Sequence, residues 1–327
     1  MQKLLKRLAI LFLVLIITDF ILGFFLNQVL VNAPDGRYYK ANTSLNTCNE
    51  DVLVFGSSRA ETNYAPNVLK NTLNLSCWNT GRGGQKLPFW YAISKGVLNR
   101  YTPKIAIINV EDDFLTEDLK DAYERAGILR PFYYSNPEIQ PIIDNISQFE
   151  KHLLLSNTYA YNSSFYYLLR PYFLKGVDGE LHEKGWKTRK GEIKKTKNEL
   201  KVISSNQPLN EESVTLFEEF IKGFIEKGCK VYMFISPDFQ KVYSSTSTIE
   251  YLKNRKDIKF FNFSLDTFIS KNKHYFIDES HLNVEGAKYY TQKIGNLIFE
   301  SETRKATKKI DVKDFILTQN NNVQRFK

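Results

Sequence analysis

Between residues 51 and 110 the chain carries three short apolar runs, at 51–55, 75–79 and 104–110, set apart by segments of helical periodicity at 66–73 and 87–101. The run at 104–110 is apolar almost throughout, which suits a strand covered on both faces. Strands that alternate with helices pair in parallel, because each helix carries the chain back to the starting edge. The pattern resumes with an amphipathic helix over 210–227 closed by Gly228, a strand over 230–235 ending in Ser236-Pro-Asp238, a helix near 248–254, a strand at 258–261 and a helix over 284–299. These signals predict one α/β domain over 51–300, a parallel sheet with helices on both faces.

Three segments fall outside that alternation. Residues 115–208 hold no clear strand and are rich in Tyr and Phe, so they read as a helical insertion whose aromatic rings pack against the body or stack on sugar rings. Within it, residues 183–201 hold eight Lys or Arg against three Glu and read as a mobile basic loop. Residues 31–50, with Pro34-Asp-Gly36, read as a linker, and 301–327 as a basic polar tail.

The N-terminus, residues 1–30, has the pattern of a membrane anchor. Lys3, Lys6 and Arg7 precede an apolar run from Leu8 to Leu26, roughly 28 Å of helix at 1.5 Å per residue. The flanking cations predict a cytoplasmic N-terminus and an extracytoplasmic domain, in the cell membrane with a single pass. A cleaved signal peptide is the competing reading, but Asn27-Gln-Val-Leu-Val-Asn-Ala33 is a poor cleavage site. Asp19 lies inside the run, where a carboxylate costs about 2.5–3.5 kcal/mol on insertion scales. Either its side chain reaches water or is protonated, or it meets a second membrane protein.

Forty-five Lys and Arg against 36 Asp and Glu give a formal charge of +9, spread rather than gathered into arginine-rich blocks. That argues against a nucleic-acid partner and for a basic surface facing acidic glycans or lipid head groups. Cys48 and Cys77 could bridge if their strands are neighbours, whereas Cys229 reads as a small buried hydrophobe. No cysteine or histidine spacing fits a metal site, and no cofactor is expected.

Two motifs carry chemistry. Phe55-Gly-Ser-Ser-Arg59 follows the first strand, so it sits at the carboxyl end of a parallel strand, where active sites of such sheets collect. Its glycine permits a sharp turn, and the helix that follows has a dipole that favours an alkoxide. Asp278-Glu-Ser-His281 places a carboxylate three residues before a histidine, close enough to hold Nδ1 and leave Nε2 to act as a base toward serine. The chain has only four histidines; His152, His182 and His274 read as surface or structural.

With Asn79-Thr-Gly-Arg-Gly-Gly84 after the second strand, and with the final motif extended as Asp278-x-x-His281-Leu-Asn-x-x-Gly286, the chain resembles the SGNH (GDSL-like) hydrolase superfamily. The resemblance covers roughly 50–110 and 210–300, and is nearest the membrane-anchored, DltD-like and alginate-acetylation-like envelope branch. It implies a flavodoxin-like three-layer sheet and a serine esterase or O-acyltransferase acting on acyl esters, such as acetyl, of an envelope polysaccharide or lipid-linked glycan. A multi-spanning membrane acyltransferase would be the donor partner. It implies Ser58 as nucleophile, with Ser57 the fallback, His281 as base and Asp278 as its orienting partner. The backbone amides of Ser58 and Gly84 would form the oxyanion hole. Arg59, Asn79, Arg82 and Asp113 are candidate substrate contacts, although Arg59 and Arg82 could equally pair with the acidic run after the third strand.

One element departs from the superfamily. The Gly-x-Asn-Asp block expected after the third strand is Ile108-Asn-Val-Glu-Asp-Asp-Phe114 here. Asn109 comes too early to donate to an oxyanion, and Asp112 or Asp113 stands in the expected place. The departure points to specialised acyl transfer, which the DltD-like branch performs without that Asn, or to a non-catalytic carbohydrate-binding or assembly protein.

Overall fold

The computed structural model describes residues 1–162, 164–174, 183–194 and 199–303. Seven strands run through them: β1 (Val52–Phe55), β2 (Cys77–Asn79), β3 (Ile105–Asn109), β4 (Lys201–Ser205), β5 (Lys230–Ile235), β6 (Lys241–Thr246) and β7 (Lys259–Asn262). Five form one sheet in the order β2-β1-β3-β5-β7, every neighbour parallel. From β1 the chain crosses to β2 on one side, then back past β1 to β3 on the other. The crevice beyond the carboxyl end of β1 lies where these connections diverge, which is the binding position of open α/β sheets.

The helices are α1 (Gln2–Val31), α2 (Gly36–Asn42), α3 (Ser58–Asn63), α4 (Pro66–Leu73), α5 (Leu87–Arg100), α6 (Lys120–Ala126), α7 (Gln140–Asp144), α8 (Glu150–Leu153), α9 (Phe165–Phe173), α10 (Glu211–Glu226), α11 (Ser247–Lys253), α12 (Thr267–Ser270) and α13 (Val284–Thr303). Alternation along β1 sends Leu53 and Phe55 to one core, with α5 and α10, and Val52 and Val54 to the other, with α4 and α13. Phe55 meets Phe220 and Phe224 edge-on, with ring centres 5.8 and 5.3 Å apart, a favoured aromatic geometry. Strand bounds read from the sequence shift by at most two residues.

Four expectations are revised. Residues 31–50 are not a plain linker. Asp35 accepts from the Gly36 amide to cap α2, a π-helical turn (Thr43–Thr47) follows, and Tyr38, Ala41 and Leu45 are buried. That stripe at 38, 41 and 45 is helical, but too short to outweigh the turn residues before it. The region 115–208 is helical and 3-10 as expected, yet it also contains β4, which pairs with β6 in a separate parallel ribbon. β4 is mostly exposed and so leaves no apolar signature. Cys48 and Cys77 are free and belong to opposite cores, so no disulfide joins them. Asp19, finally, has partners in its own chain: it accepts from Ser156 Oγ at 2.7 Å, Thr158 N at 3.0 Å and Asn157 N at 2.7 Å.

Helix α1 is long and apolar enough to cross a membrane, and side chains such as Phe12 and Leu15 are exposed along it. His182 and almost all of the 301–327 tail lie outside the described residues.

Candidate active site

Ser58 is placed by the turn between β1 and α3. Gly56 takes φ +141°, and a Cβ there would stand 2.7 Å from the Asn109 carbonyl oxygen. Only glycine lets the chain leave the sheet so close to β3. The turn after β2 is laced to it, with Thr80 N donating to Val54 O at 2.8 Å and Arg82 N to Gly56 O at 3.0 Å. Ser58 is the first residue of α3, whose first-turn amides have no carbonyl one turn earlier to bond.

The histidine loop is tied down through Leu282, Asn283 and Gly286. Leu282 is fully buried and its amide donates to Asn63 Oδ1 at 3.0 Å, which joins the loop to α3. Asn283 Oδ1 accepts from Gly286 N at 3.0 Å in the first turn of α13, while its Nδ2 donates to Gly191 O and His274 O. A Cβ at Gly286 would fall 2.3 Å from Tyr275 O, so glycine allows the helix to start this close to the preceding loop.

These two turns bring together groups 223 residues apart. His281 Nε2 lies 2.7 Å from Ser58 Oγ. His281 Nδ1 lies 2.9 Å from both oxygens of Asp278. In the tautomer whose Nδ1–H donates to Asp278, Nε2 accepts the Ser58 hydroxyl proton. Partial burial would raise the Asp278 carboxyl, but the Ser280 amide, the His281 side chain and the His281 amide together hold it below its ordinary value. It therefore stays an anion beside the imidazole, and Ser280 N and His281 N, each 2.9 Å from Oδ1, fix its rotamer.

Ser57 is engaged elsewhere. Its hydroxyl donates to Glu111, so the imidazole meets Ser58 and not the fallback. Arg59 points back into the sheet edge, where Nη2 donates to Asp238 Oδ2 at 3.0 Å and Nη1 stands 3.0 Å from Oδ1. Asp238 also accepts from Tyr243 OH. Arg59 is thus a positioning residue held at the end of β5; its direct ion-pair partner is Asp238, and the charge of Glu111 in the acidic run after β3 also attracts it. Burial pushes the Glu111 carboxyl up against the opposing pull of Arg59 and Ser57. Asp112 is pushed up to about 6, by burial and by the charge of Asp113.

Two cavities meet at Ser58. One, of about 590 Å³, is lined by Arg37, Lys40, Arg82, Arg125, Lys187 and Arg189 together with Glu61 and Glu124. The other, of about 400 Å³, is lined by Glu111, Asp112, Asp113 and Glu117 together with Arg59, Lys86 and Arg125. Gly84 and Gln85 line both. The preceding Gly83 amide donates to Glu61 Oε2 at 3.1 Å. Arg82 lines the basic side and donates to Arg37 O at 3.1 Å. Asp113 lines the acidic side.

Asn79 is fully buried and bonded to backbone: Nδ2 donates to Ala60 O and Tyr64 O, and Oδ1 accepts from Gly81 N. It shapes the glycine turn and is closed to substrate. Asn109 Oδ1 accepts from Tyr64 OH at 2.9 Å. His274 is exposed and lies 2.9 Å from Glu192 Oε1; His152 lies in α8.

The basic segment after residue 182, read from the sequence as a mobile loop, is hydrogen-bonded to the body over its described residues 183–194. Asn79 N donates to Lys184 O, Lys187 N to Glu61 O, and buried Trp186 donates Nε1–H to Thr62 O. That lacing aims Lys187 and Arg189 into the cavity. Sequence reasoning marked this segment's charge but missed Arg37, Lys40, Arg125 and Glu111 as wall residues. Only the tryptophan amid the lysines of 183–201 hinted at an anchored segment.

Compared with known protein families and with curated proteins, the chain matches none.

Proposed function

We propose that this protein is a membrane-anchored serine esterase or O-acyltransferase with an extracytoplasmic, SGNH-type catalytic domain. The observation that carries the reading is the 2.7 Å approach of His281 Nε2 to Ser58 Oγ, with Asp278 on the other ring nitrogen. The strand order β2-β1-β3-β5-β7, flavodoxin-like in pattern, supports the fold assignment. Ser58 Oγ attacks an acyl ester carbon while its proton passes to Nε2, and the amides of Ser58 and Gly84 receive the oxyanion. The imidazolium returns the proton to the departing alcohol. A sugar hydroxyl or water, deprotonated in turn by His281, then resolves the acyl-enzyme. The basic cavity favours a polyhydroxylated or anionic envelope polymer, or a lipid-linked glycan, as one of the two substrates.

Lys3, Lys6 and Arg7 before the apolar run favour a cytoplasmic N-terminus. A multi-spanning acyltransferase in the same membrane fits the role of acyl donor.

A second reading, a non-catalytic glycan-binding or assembly protein on the same framework, is favoured by the four carboxylates that line the cavity beside Ser58. Labelling with a fluorophosphonate separates the two. The esterase or transferase reading expects wild type to label and Ser58→Ala to remain blank. Equal labelling of both, or of neither, refutes it.

A further inference from the structure

We infer that the tip of the insertion, residues 149–158, is immersed in the acyl chains of the bilayer leaflet beside the catalytic domain; this rests on reading α1 as a membrane span. Three contacts run down one side of α1 in order. Tyr172 OH donates to Val29 O at 2.7 Å, Tyr161 OH to Asn27 Oδ1 at 3.5 Å, and Ser156, Asn157 and Thr158 surround Asp19. The last contact lies about 10 Å deeper along the helix than Leu26, at 1.5 Å per residue. A Cβ at Gly23 would fall 2.3 Å from Asn157 Cβ, so the loop is seated directly on the helix backbone. Leu155 shares a surface groove with Phe12, Leu15 and Ile16, at the middle of the apolar run, and Phe165 shares another with Leu22, Phe25 and Leu26. A bilayer that covers Leu15 and Phe25 covers these residues too.

The tip is built for that depth. Leu155 is 74% exposed and Phe149 58% exposed, with no protein to cover them among the described residues. Loops at hydrocarbon depth must satisfy their own backbone. Every amide from His152 to Tyr159 has a partner: residues 152–156 bond to carbonyls within the turn, Asn157 and Thr158 to Asp19, and Tyr159 to Ser156 Oγ. Asp19 is thereby the cap of a re-entrant loop, which accounts for a carboxylate inside the span. Lys151 and His152 at the edge of the turn limit the depth, since their polar ends must reach the head groups. The same insertion supplies Asn162, Ser164 and Tyr167 to the basic cavity, so immersion of the tip holds that cavity at the membrane surface.

The test uses the full chain in phosphatidylcholine–phosphatidylglycerol vesicles, with an environment-sensitive fluorophore on Leu155→Cys, Phe12→Cys or Ser204→Cys and nitroxide-labelled acyl chains as quencher. Wild type, whose three cysteines are buried, sets the labelling background. The expected result is blue-shifted, quenched emission at positions 155 and 12, and none at the exposed β4 position 204. Asp19→Ala is expected to abolish quenching at 155 and leave 12 unchanged. An unquenched 155 beside a quenched 12 would place the tip outside the lipid, its groove then serving a protein partner, and would overturn the inference while leaving the anchor intact. An unquenched 12 would overturn the anchor and the inference together. Quenching at 155 that survives Asp19→Ala would overturn the capping role.

Discussion

The two cavities that meet at Ser58 differ in charge and in how the chain builds them. The basic one is assembled from α2, the turn after β2, α6 in the insertion and the segment 183–194, parts with no role in the sheet. The acidic one is cut largely from the loop after β3 and the ends of β1 and α5, the framework itself. Elements added around a sheet can diversify substrate binding without disturbing the strands, whereas charge placed at the strand ends acts on the nucleophile directly. On the proposed reading the basic side would govern which molecule arrives, and the acidic side how readily Ser58 reacts.

The sharpest break of that comparison is at the point the cavities share. His281→Ala is expected to lower the rate of fluorophosphonate labelling by roughly 10³-fold or more, and Ser57→Ala to leave it nearly unchanged. Timed labelling of the purified variants measures both. Next in size is Lys40, a basic-side residue that is structural. It is buried, donates to Gly81 O, and stands 3.6 Å from Glu61. Burial lowers its ammonium to about 8, against the pull of Glu61. Lys40→Met removes the cation facing Glu61 and should cost about 3 kcal/mol in denaturant unfolding, partly recovered in Lys40→Met/Glu61→Gln.

Arg125 tests the arrival role. Its Nη1 would lie 3.7 Å from a Cβ on Gly84, at the junction of both cavities. Arg125→Gln should raise KM for an anionic acyl substrate by roughly tenfold, the worth of one charge-assisted hydrogen bond, with little change in kcat.

The smallest effect probes the acidic side. Asp112 is raised to about 6, so it is neutral below that pH and an anion above it, where it opposes a developing oxyanion. Asp112→Asn should match wild-type labelling at pH 5 and exceed it roughly fivefold at pH 8, the effect of removing about 1 kcal/mol of repulsion. A ratio that does not change with pH would mean that the acidic wall does not act on the nucleophile.

Much of the site was legible because its parts are local. Gly56 before Ser58, and Asp278 three residues before His281, are set by turn geometry that a few residues enforce. Asn79 was legible as a member of the glycine turn, but its role was not. An amide in a polar turn reads as available, and only burial against Ala60 O and Tyr64 O shows that it is spent on the backbone. Arg59 was ambiguous for a similar reason, since its partner Asp238 lies 179 residues away, just beyond the end of β5. α2 was missed because a seven-residue helix offers too few turns to establish a period.

Sequence alone determined the alternating strands and helices, the apolar helix α1 and the two turns that carry Ser58 and His281. These follow from hydrophobic period and backbone sterics, which act over a few residues. Tertiary structure decided which of two adjacent serines meets the imidazole, which charged side chains face the cavities, and what Asp19 holds. Each depends on distance and burial between segments far apart in the chain, where a carboxylate or guanidinium is a ligand or a strut according to what lies within 3 Å of it.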